Sequence, residues 1–435
     1  MRVSLDHKTA DLLIAALTAA GVALTLYVFY PGIMTFDARY IYQDMAKGFY
    51  GDWQSPVMIV LWSLVDPIAP GPASLLLLTV TLYWLAFAIV ALTLARRSPL
   101  LALLLLLLVL LPPAFIFIGI IWRDVLFGIV WLLAAGAAFA VANRDRKLAI
   151  PVQAIALGLT ALGVLLRPNA LAAAPILAAY IAWPAQLRWQ RTAVLYVPAA
   201  LALFGLIQVI YYGVLGATRQ QPLHSIMVFD LGGISHFAKK NVFPGAWTAD
   251  ESKLIAGGCY NSIGWDVYWT QQPCQFVMEH LEREKTFSSP ALTEAWRHAI
   301  LSHPIAYLEH RATFMWTFLA GDDNLTMWTR DLDDETKIIF ADNPRLMALK
   351  AVNDALAPTP LFRAGSWLLL DIAVCAFAWR RRDTPAGAFA LGICGSAIVY
   401  MMTFFVVGVA TDFRYAYWAV LAGLGGAVAV AQRRP

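Results

Sequence analysis

The sequence predicts an all-α integral membrane protein, a polytopic helical bundle of about ten transmembrane helices with loop helices and an insertion on the non-cytoplasmic side. Three observations predict it. Hydrophobic residues fill 60% of the 435 positions and charged residues only 14%, with a mean hydropathy of +0.64; a soluble domain of that composition would expose apolar patches. Apolar runs recur at the length a helix needs to cross a ~30 Å hydrocarbon core, ~20 residues. Clusters of Lys and Arg fall at alternate ends of those runs. A membrane barrel would show short alternating segments instead.

The runs are placed between breakers and charges at 10–30, 72–95, 99–118, 124–142, 148–166, 170–185, 193–216, 360–379, 384–408 and 415–430. The first follows a short basic start and is long for the core of a signal peptide, so an uncleaved anchor is expected. The third contains Pro112-Pro113, which removes two backbone donors and kinks it. Basic clusters at Arg2 to Lys8, Arg96-Arg97, Arg144 to Lys147, Arg188 to Arg191, Arg380 to Arg382 and Arg433-Arg434 share one side if there are ten spans. Positive charge inside makes that side, and both termini, cytoplasmic. The expected location is a plasma membrane. Reading Pro304–Leu319 as an eleventh span would move Arg380 to Arg382 outside. With Glu309, His310, Thr313 and Thr317 on one side, it reads as an amphipathic interfacial helix.

This division gives an N-terminal membrane core, 1–216, with a first outer loop at 31–71. A non-cytoplasmic insertion, 217–359, is too polar to span and too long for a connector. C-terminal helices follow at 360–435. Cys259 and Cys274 lie in the insertion, an oxidising setting, and are expected to form a disulfide. Cys375 and Cys394 read as small core residues. No Cys-x-x-Cys or His-x-x-x-His pattern marks a metal site, and no cofactor is implied. The absence of a glycine-rich phosphate loop argues against a nucleotide-driven pump. The net charge of +4 reflects membrane orientation rather than nucleic-acid binding.

The unusual charges gather at the outer boundary. Asp37 follows the first span, Arg123-Asp124 opens the fourth, Arg167-Pro168-Asn169 separates the fifth and sixth, and Asp412-Phe413-Arg414-Tyr415 opens the tenth. Each alone has a plain explanation, helix capping for Asp124 and interfacial snorkelling for Arg167. The set is informative because charge at that depth is costly unless paired or facing water. A guanidinium fork suits a lipid phosphate, and a nearby carboxylate can take a proton from an attacking hydroxyl. Sugar nucleotides are cytoplasmic, so a sugar donor on the outer face would be lipid-linked.

Several segments resemble the GT-C glycosyltransferases, the polytopic class that includes protein mannosyltransferases and aminoarabinose transferases. They are Pro31-Gly32 through Asp37 with Gly51-Asp52-Trp53-Gln54-Ser55-Pro56, Trp122 to Phe127, Arg167-Pro168-Asn169, Phe413-Arg414-Tyr415, and His303 to Leu308. The resemblance implies a bacterial membrane enzyme that moves a sugar from a polyprenyl-phosphate donor to an acceptor hydroxyl with inversion, Asp37 acting as base. Arg123, Arg167 and Arg414 are then candidates for the donor phosphate. Asp124 would orient an arginine or bind sugar hydroxyls, and Asn169 would bind sugar hydroxyls. The sequence departs from many relatives: Ala38 and Arg39 follow Asp37 where a second acid is common, and Gln54 stands where a histidine is common. Asp44 and Asp52 are rival bases. The acceptor, whether glycan, lipid or protein, is left open. A flippase or transporter of a lipid-linked sugar, an O-antigen-ligase-like transferase and a non-catalytic assembly subunit are the alternatives.

Other residues carry less. Tyr40, Trp53 and Trp265 would stack on sugars or anchor at the interface. His224, His236 and His303 read as structural or solvated. Asp230-Leu231-Gly232-Gly233 reads as a turn. Asp371 lies within the eighth run with no partner to name. Asn324-Leu325-Thr326 fits a glycosylation sequon, and Asp331 to Glu335 is an acidic, solvated run.

Overall fold

The computed structural model describes residues 6–321 and 343–432; the sequon, the acidic run and the Arg433-Arg434 pair lie outside them. The described residues form helices joined by short turns, with three isolated backbone bridges and no strand.

Proline and small polar caps set many of the boundaries. Asp6 caps α1 (His7–Phe29), and Thr35 caps α2 (Phe36–Lys47), each oxygen satisfying a free N–H of a first turn. Ser55 caps α3 (Pro56–Val65), where Pro occupies the first helical position. α4 (Pro72–Ala95) and α5 (Pro99–Leu108) start the same way.

The expected kink at Pro112-Pro113 is a 70° break between α5 and a piece made of α6 (Pro112–Phe115) and a 3₁₀ turn ending at Gly119. Pro113 leaves the Val109 carbonyl without its helical donor. The Tyr83 hydroxyl donates to that carbonyl at 2.7 Å. A broken helix survives in an apolar setting only with such repair.

α7 (Arg123–Val141) and α8 (Arg146–Leu166) pack side by side. A 3₁₀ turn (Pro168–Ala172) leads to α9 (Ala174–Ala182), then α10 (Trp189–Gln208), which a π-helical turn extends to Val214. The insertion supplies α11 (Leu223–Phe237), α12 (Ala249–Gly257), α13 (Phe276–Arg283), α14 (Pro290–Ser302) and α15 (Pro304–Ala320). After α16 (Pro344–Leu356) come α17 (Ala364–Trp379), α18 (Pro385–Val407) and α19 (Tyr417–Val430).

Seven helices are long and apolar enough to span a membrane, or eight if the bent pair counts as one. By length and composition that is fewer than the ten expected runs, and two of those runs fold as shorter helices. The run at 170–185 breaks into a 3₁₀ turn and a nine-residue helix, and the run at 360–379 forms a helix of only sixteen residues. Proline explains both, since Pro168 and Pro175 interrupt the first and Pro360 sits in a separate 3₁₀ turn before the second.

The bundle is layered around α7 and the Phe413–Val430 segment, whose apolar windows are 83% and 89% buried, whereas that of α10 and its extension is 6% buried and lies at the periphery. Large aromatic residues fill the centre, and three of them have their polar tips satisfied: Trp131 donates to Thr160 O, Trp418 to Ser396 Oγ and Tyr417 to Ala114 O. At one end lie the 31–71 loop, the insertion and the 409–412 turn. The basic clusters at 96–97, 144, 188–191 and 380–382 gather at the other, where Arg381 holds Val430 O and Gln432 O and Gln432 reaches Leu94 O.

The insertion corrects the reading of Asp230-Leu231-Gly232-Gly233 as a turn. These residues lie inside α11 and are buried. The glycines permit contact: a Cβ at Gly232 would sit 1.9 Å from the Tyr268 hydroxyl and one at Gly233 2.2 Å from the His310 ring. Asp230 receives Arg311 Nε at 2.7 Å and Trp296 Nε1 at 2.7 Å, with His310 Nε2 at 3.2 Å. The expected Pro304–Leu319 helix is α15, and its most buried charge, Arg311, joins the insertion to the bundle by donating to Gly408 O at 2.7 Å. Cys259 and Cys274 form a disulfide with a Cα–Cα distance of 5.6 Å.

Candidate functional site

Three backbone bridges and several side chains bring distant loops to one end of the bundle. Ile33 pairs with Ile120 in parallel; Ile33 N donates to Gly119 O and Ile121 N to Ile33 O. Gly119 allows this approach, since a Cβ there would lie 2.0 Å from the Phe29 ring. Thr35 caps α2 and also accepts from Trp122 Nε1 at 2.9 Å, which fixes the start of α2 against the start of α7. Gly51 pairs with Thr218, and Gly264 pairs with Ala410 while Trp265 N donates to Val409 O. Ser55 Oγ and the Tyr211 hydroxyl both donate to Leu165 O, bracing the turn that carries Arg167.

The charges that meet there form linked pairs. Arg414 donates to Asp37 Oδ2 at 2.7 Å and lies 3.0 Å from Asp412 Oδ2. Its guanidinium sits 4.6 Å from the centre of the Trp122 ring. Gln54 Nε2 donates to the other Asp37 oxygen at 3.2 Å. Arg167 pairs with Asp124 at 2.9 Å and stacks at 4.9 Å on Tyr415. Arg123 makes no ion pair among the described residues; its contact is a 3.4 Å hydrogen bond to Trp53 O. Burial by itself raises the Asp37 carboxyl, but Arg414, then Arg123, with a smaller effect from Arg167, hold it below the usual carboxylate range. The Asp37 side chain is 37% exposed against 12% for Arg414, so the carboxylate is the more open to solvent of the two.

The other expected residues divide. Asn169 joins the Arg167 region beside Tyr400, with its Oδ1 buried and unbonded among the described residues. Asp52 is occupied by the Tyr212 hydroxyl at 2.8 Å and Gln220 N at 2.6 Å, and so ties the first loop to residues 212–220. Asp44 lies in the last turn of α2 with Lys47 as its charged neighbour. Trp53 contacts Trp265 at 5.9 Å, whereas Tyr40 is an exposed residue packed on Phe36. His224 accepts from Ser288 N, His236 stacks on Tyr260 and His303 caps α14.

Sequence reasoning gave no site role to three contributors. Asp412 was placed at the outer boundary beside a chosen arginine and is that arginine's second carboxylate. Gln54 was noted only as a departure and is the amide on Asp37. Asp266 comes from the insertion: burial raises its carboxyl, against the Trp269 hydrogen bond, and the nearby Asp37 charge raises it further. The Trp265 and Trp269 rings stack beside it at 5.7 Å, with Trp269 41% exposed. Their pattern at 265–269 was the only local signal. Among the described residues no group of three or more His, Cys, Asp or Glu could hold a metal ion.

No protein-family model matches the chain, and neither the curated proteins nor the solved structures include one significantly similar to it.

Proposed function

We propose that the protein is a GT-C-like membrane glycosyltransferase that moves a sugar from a polyprenyl-phosphate donor to an acceptor hydroxyl on the non-cytoplasmic face. One observation carries the reading: a solvent-reachable carboxylate, Asp37, is held by a less exposed arginine, Arg414, beside a second arginine, Arg123, that has no ion pair of its own among the described residues.

In this reading Arg123 receives the donor phosphate first. The phosphate then competes with Asp37 for Arg414. Losing that pair removes what lowers the Asp37 carboxyl, so the base strengthens when the donor is in place. The acceptor hydroxyl gives its proton to Asp37 and its oxygen bonds the anomeric carbon. The bond from that carbon to the phosphate oxygen breaks on the far side, and the electron pair leaves with polyprenyl phosphate, inverting the centre. Arg167 is anchored by Asp124, which suits a fixed positive field better than a mobile clamp. The exposed face of Trp269 beside Asp266 offers a stacking surface for a sugar ring.

Membranes containing Asp37→Asn should lose transfer from a polyprenyl-phosphate sugar by at least about 10²-fold while retaining donor binding. Full transfer by this variant would end the reading. One observation favours a transporter: Asp371 is buried in α17, and its carboxylate oxygens have no hydrogen-bond partner among the described residues. A flippase would keep moving lipid-linked sugar with Asp37→Asn and stop with Asp371→Asn.

A further inference from the structure

The arginine-rich end of the bundle holds a cavity of about 370 Å³ between the last turns of α4 and α7 and the first turn of α18. Its inner wall is apolar, with Ile89, Leu92 and Phe139, and its rim carries Arg96, Arg97 and Arg144. The arginines come from two separate helix ends. Arg96 is tied to Asp11 by an exposed contact of 3.3 Å, an arrangement that contributes little. Arg97 and Arg144 are exposed and have no carboxylate partner among the described residues.

We infer that this cavity is a binding site for an anionic glycerophospholipid, its phosphate on the Arg97 and Arg144 guanidinium groups and the upper part of one acyl chain against Ile89 and Leu92. The shape decides between ligand classes. A soluble phosphate would satisfy the arginines and leave the apolar wall in contact with water, whereas a phospholipid covers both. The position supports it: α4 and α7 are both among the membrane-long helices, so their basic ends lie where hydrocarbon gives way to headgroups. Basic pockets between transmembrane helices are where anionic lipids are retained. A zwitterionic lipid brings its own cation to the rim and loses the charge complementarity. The inference is independent of the proposed transferase chemistry at the opposite end.

The test uses the full-length chain purified in mild detergent, with native mass spectrometry of retained lipid and melting temperature on adding phosphatidylglycerol or phosphatidylcholine. The expected result is selective retention of, and stabilisation by, phosphatidylglycerol, weakened at least tenfold in Arg97→Gln/Arg144→Gln. Arg188→Gln/Arg191→Gln, which removes the same charge elsewhere on that end, should bind like the parent. Should the first pair fail to fold, Leu92→Trp fills the apolar half with every charge kept and should also abolish retention. Equal binding of both lipids, equal weakening by the two arginine pairs, undiminished retention in Leu92→Trp, or equal protection by glycerol phosphate would each overturn the inference.

Discussion

At the scale of single residues, the decisive contrast is between paired and unpaired charges. Arg167 and Arg414 each hold a carboxylate within 3 Å, and Arg123 holds none. Arg123→Gln should therefore break no direct ion pair, lower the melting temperature less than Arg414→Gln while weakening the field that holds the Asp37 carboxyl low, and raise the KM for donor if Arg123 meets the phosphate. Arg414→Gln should do more damage, because it strands Asp37 and Asp412 together; a loss of several °C in melting temperature is the check. The Asp37 pair also sets a pH expectation. Its carboxyl is lowered in the folded state, so the stability it contributes is complete above the ordinary aspartate value of about 4 and is lost as pH falls below that through the lowered folded value. An Asp37→Asn comparison should show no difference in pH dependence between pH 5 and 8. Asp371 offers the opposite case. Among the described residues its carboxylate oxygens have no hydrogen-bond partner, with the weakly polar Cys375 and Cys394 sulfurs nearby, and burying a carboxyl without a strong donor is unfavourable. Asp371→Leu should raise the melting temperature and leave transfer intact; loss of transfer would assign that carboxyl a working role.

At the scale of elements, the insertion is held by three fully buried polar residues, Asp230, His310 and Arg311, and the half-buried Trp296. Asp230 on α11, Arg311 and His310 on α15 and Trp296 on α14 form one cluster, and Arg311 passes it on to Gly408, near the turn that carries Asp412 and Arg414. Removing one partner leaves an uncompensated charge, so Asp230→Asn should destabilise by about 3–5 kcal/mol, read as faster hydrogen exchange across α11, α14 and α15. Burial also lowers the His224, His236 and His310 imidazoles, for His236 with help from Lys239 and for His310 against the pull of Asp230. A histidine lowered in the folded state stabilises the fold above the unfolded value of about 6.5, and that contribution is lost as pH falls through the window below it. Protection factors in the insertion, corrected for the intrinsic pH dependence of amide exchange, should therefore fall between pH 7 and 5, while those of α7 and α19 do not change. The sequence did not show this cluster. Asp230-Leu231-Gly232-Gly233 carries turn-forming residue types, and only the ring and hydroxyl packed on the two glycines explain why they stay helical.

At the scale of the whole molecule, the two ends of the bundle are chemically different. One gathers carboxylate–arginine pairs from the first loop, α7, the turn after α8 and the 409–414 turn; the other gathers arginines and a partly apolar cavity. Straightening the broken helix should disturb the first end. Ile33 is bonded to the residues just beyond the break, at Gly119 and Ile121, and this contact sets the approach of α2. Pro112→Ala/Pro113→Ala should lower transfer more than it lowers melting temperature, since the helix can regain its hydrogen bonds only by moving that contact.

By itself the sequence determined the membrane class, the helical nature of the runs, the break at Pro112-Pro113 and the loops in which the unusual charges lie. These follow from hydrophobic run length, missing backbone donors and the cost of burying charge, all of which act locally. Tertiary structure decided how the runs at 170–185 and 360–379 divide into 3₁₀ turns and shorter helices. It also decided the pairing. Asp37 and Arg414 are 377 positions apart, and which carboxylate meets which guanidinium depends on loop-to-loop bridges such as Ile33 with Ile120 and Gly264 with Ala410. Side-chain charge has no sequence period, so contacts of this range become legible only when the chain is folded.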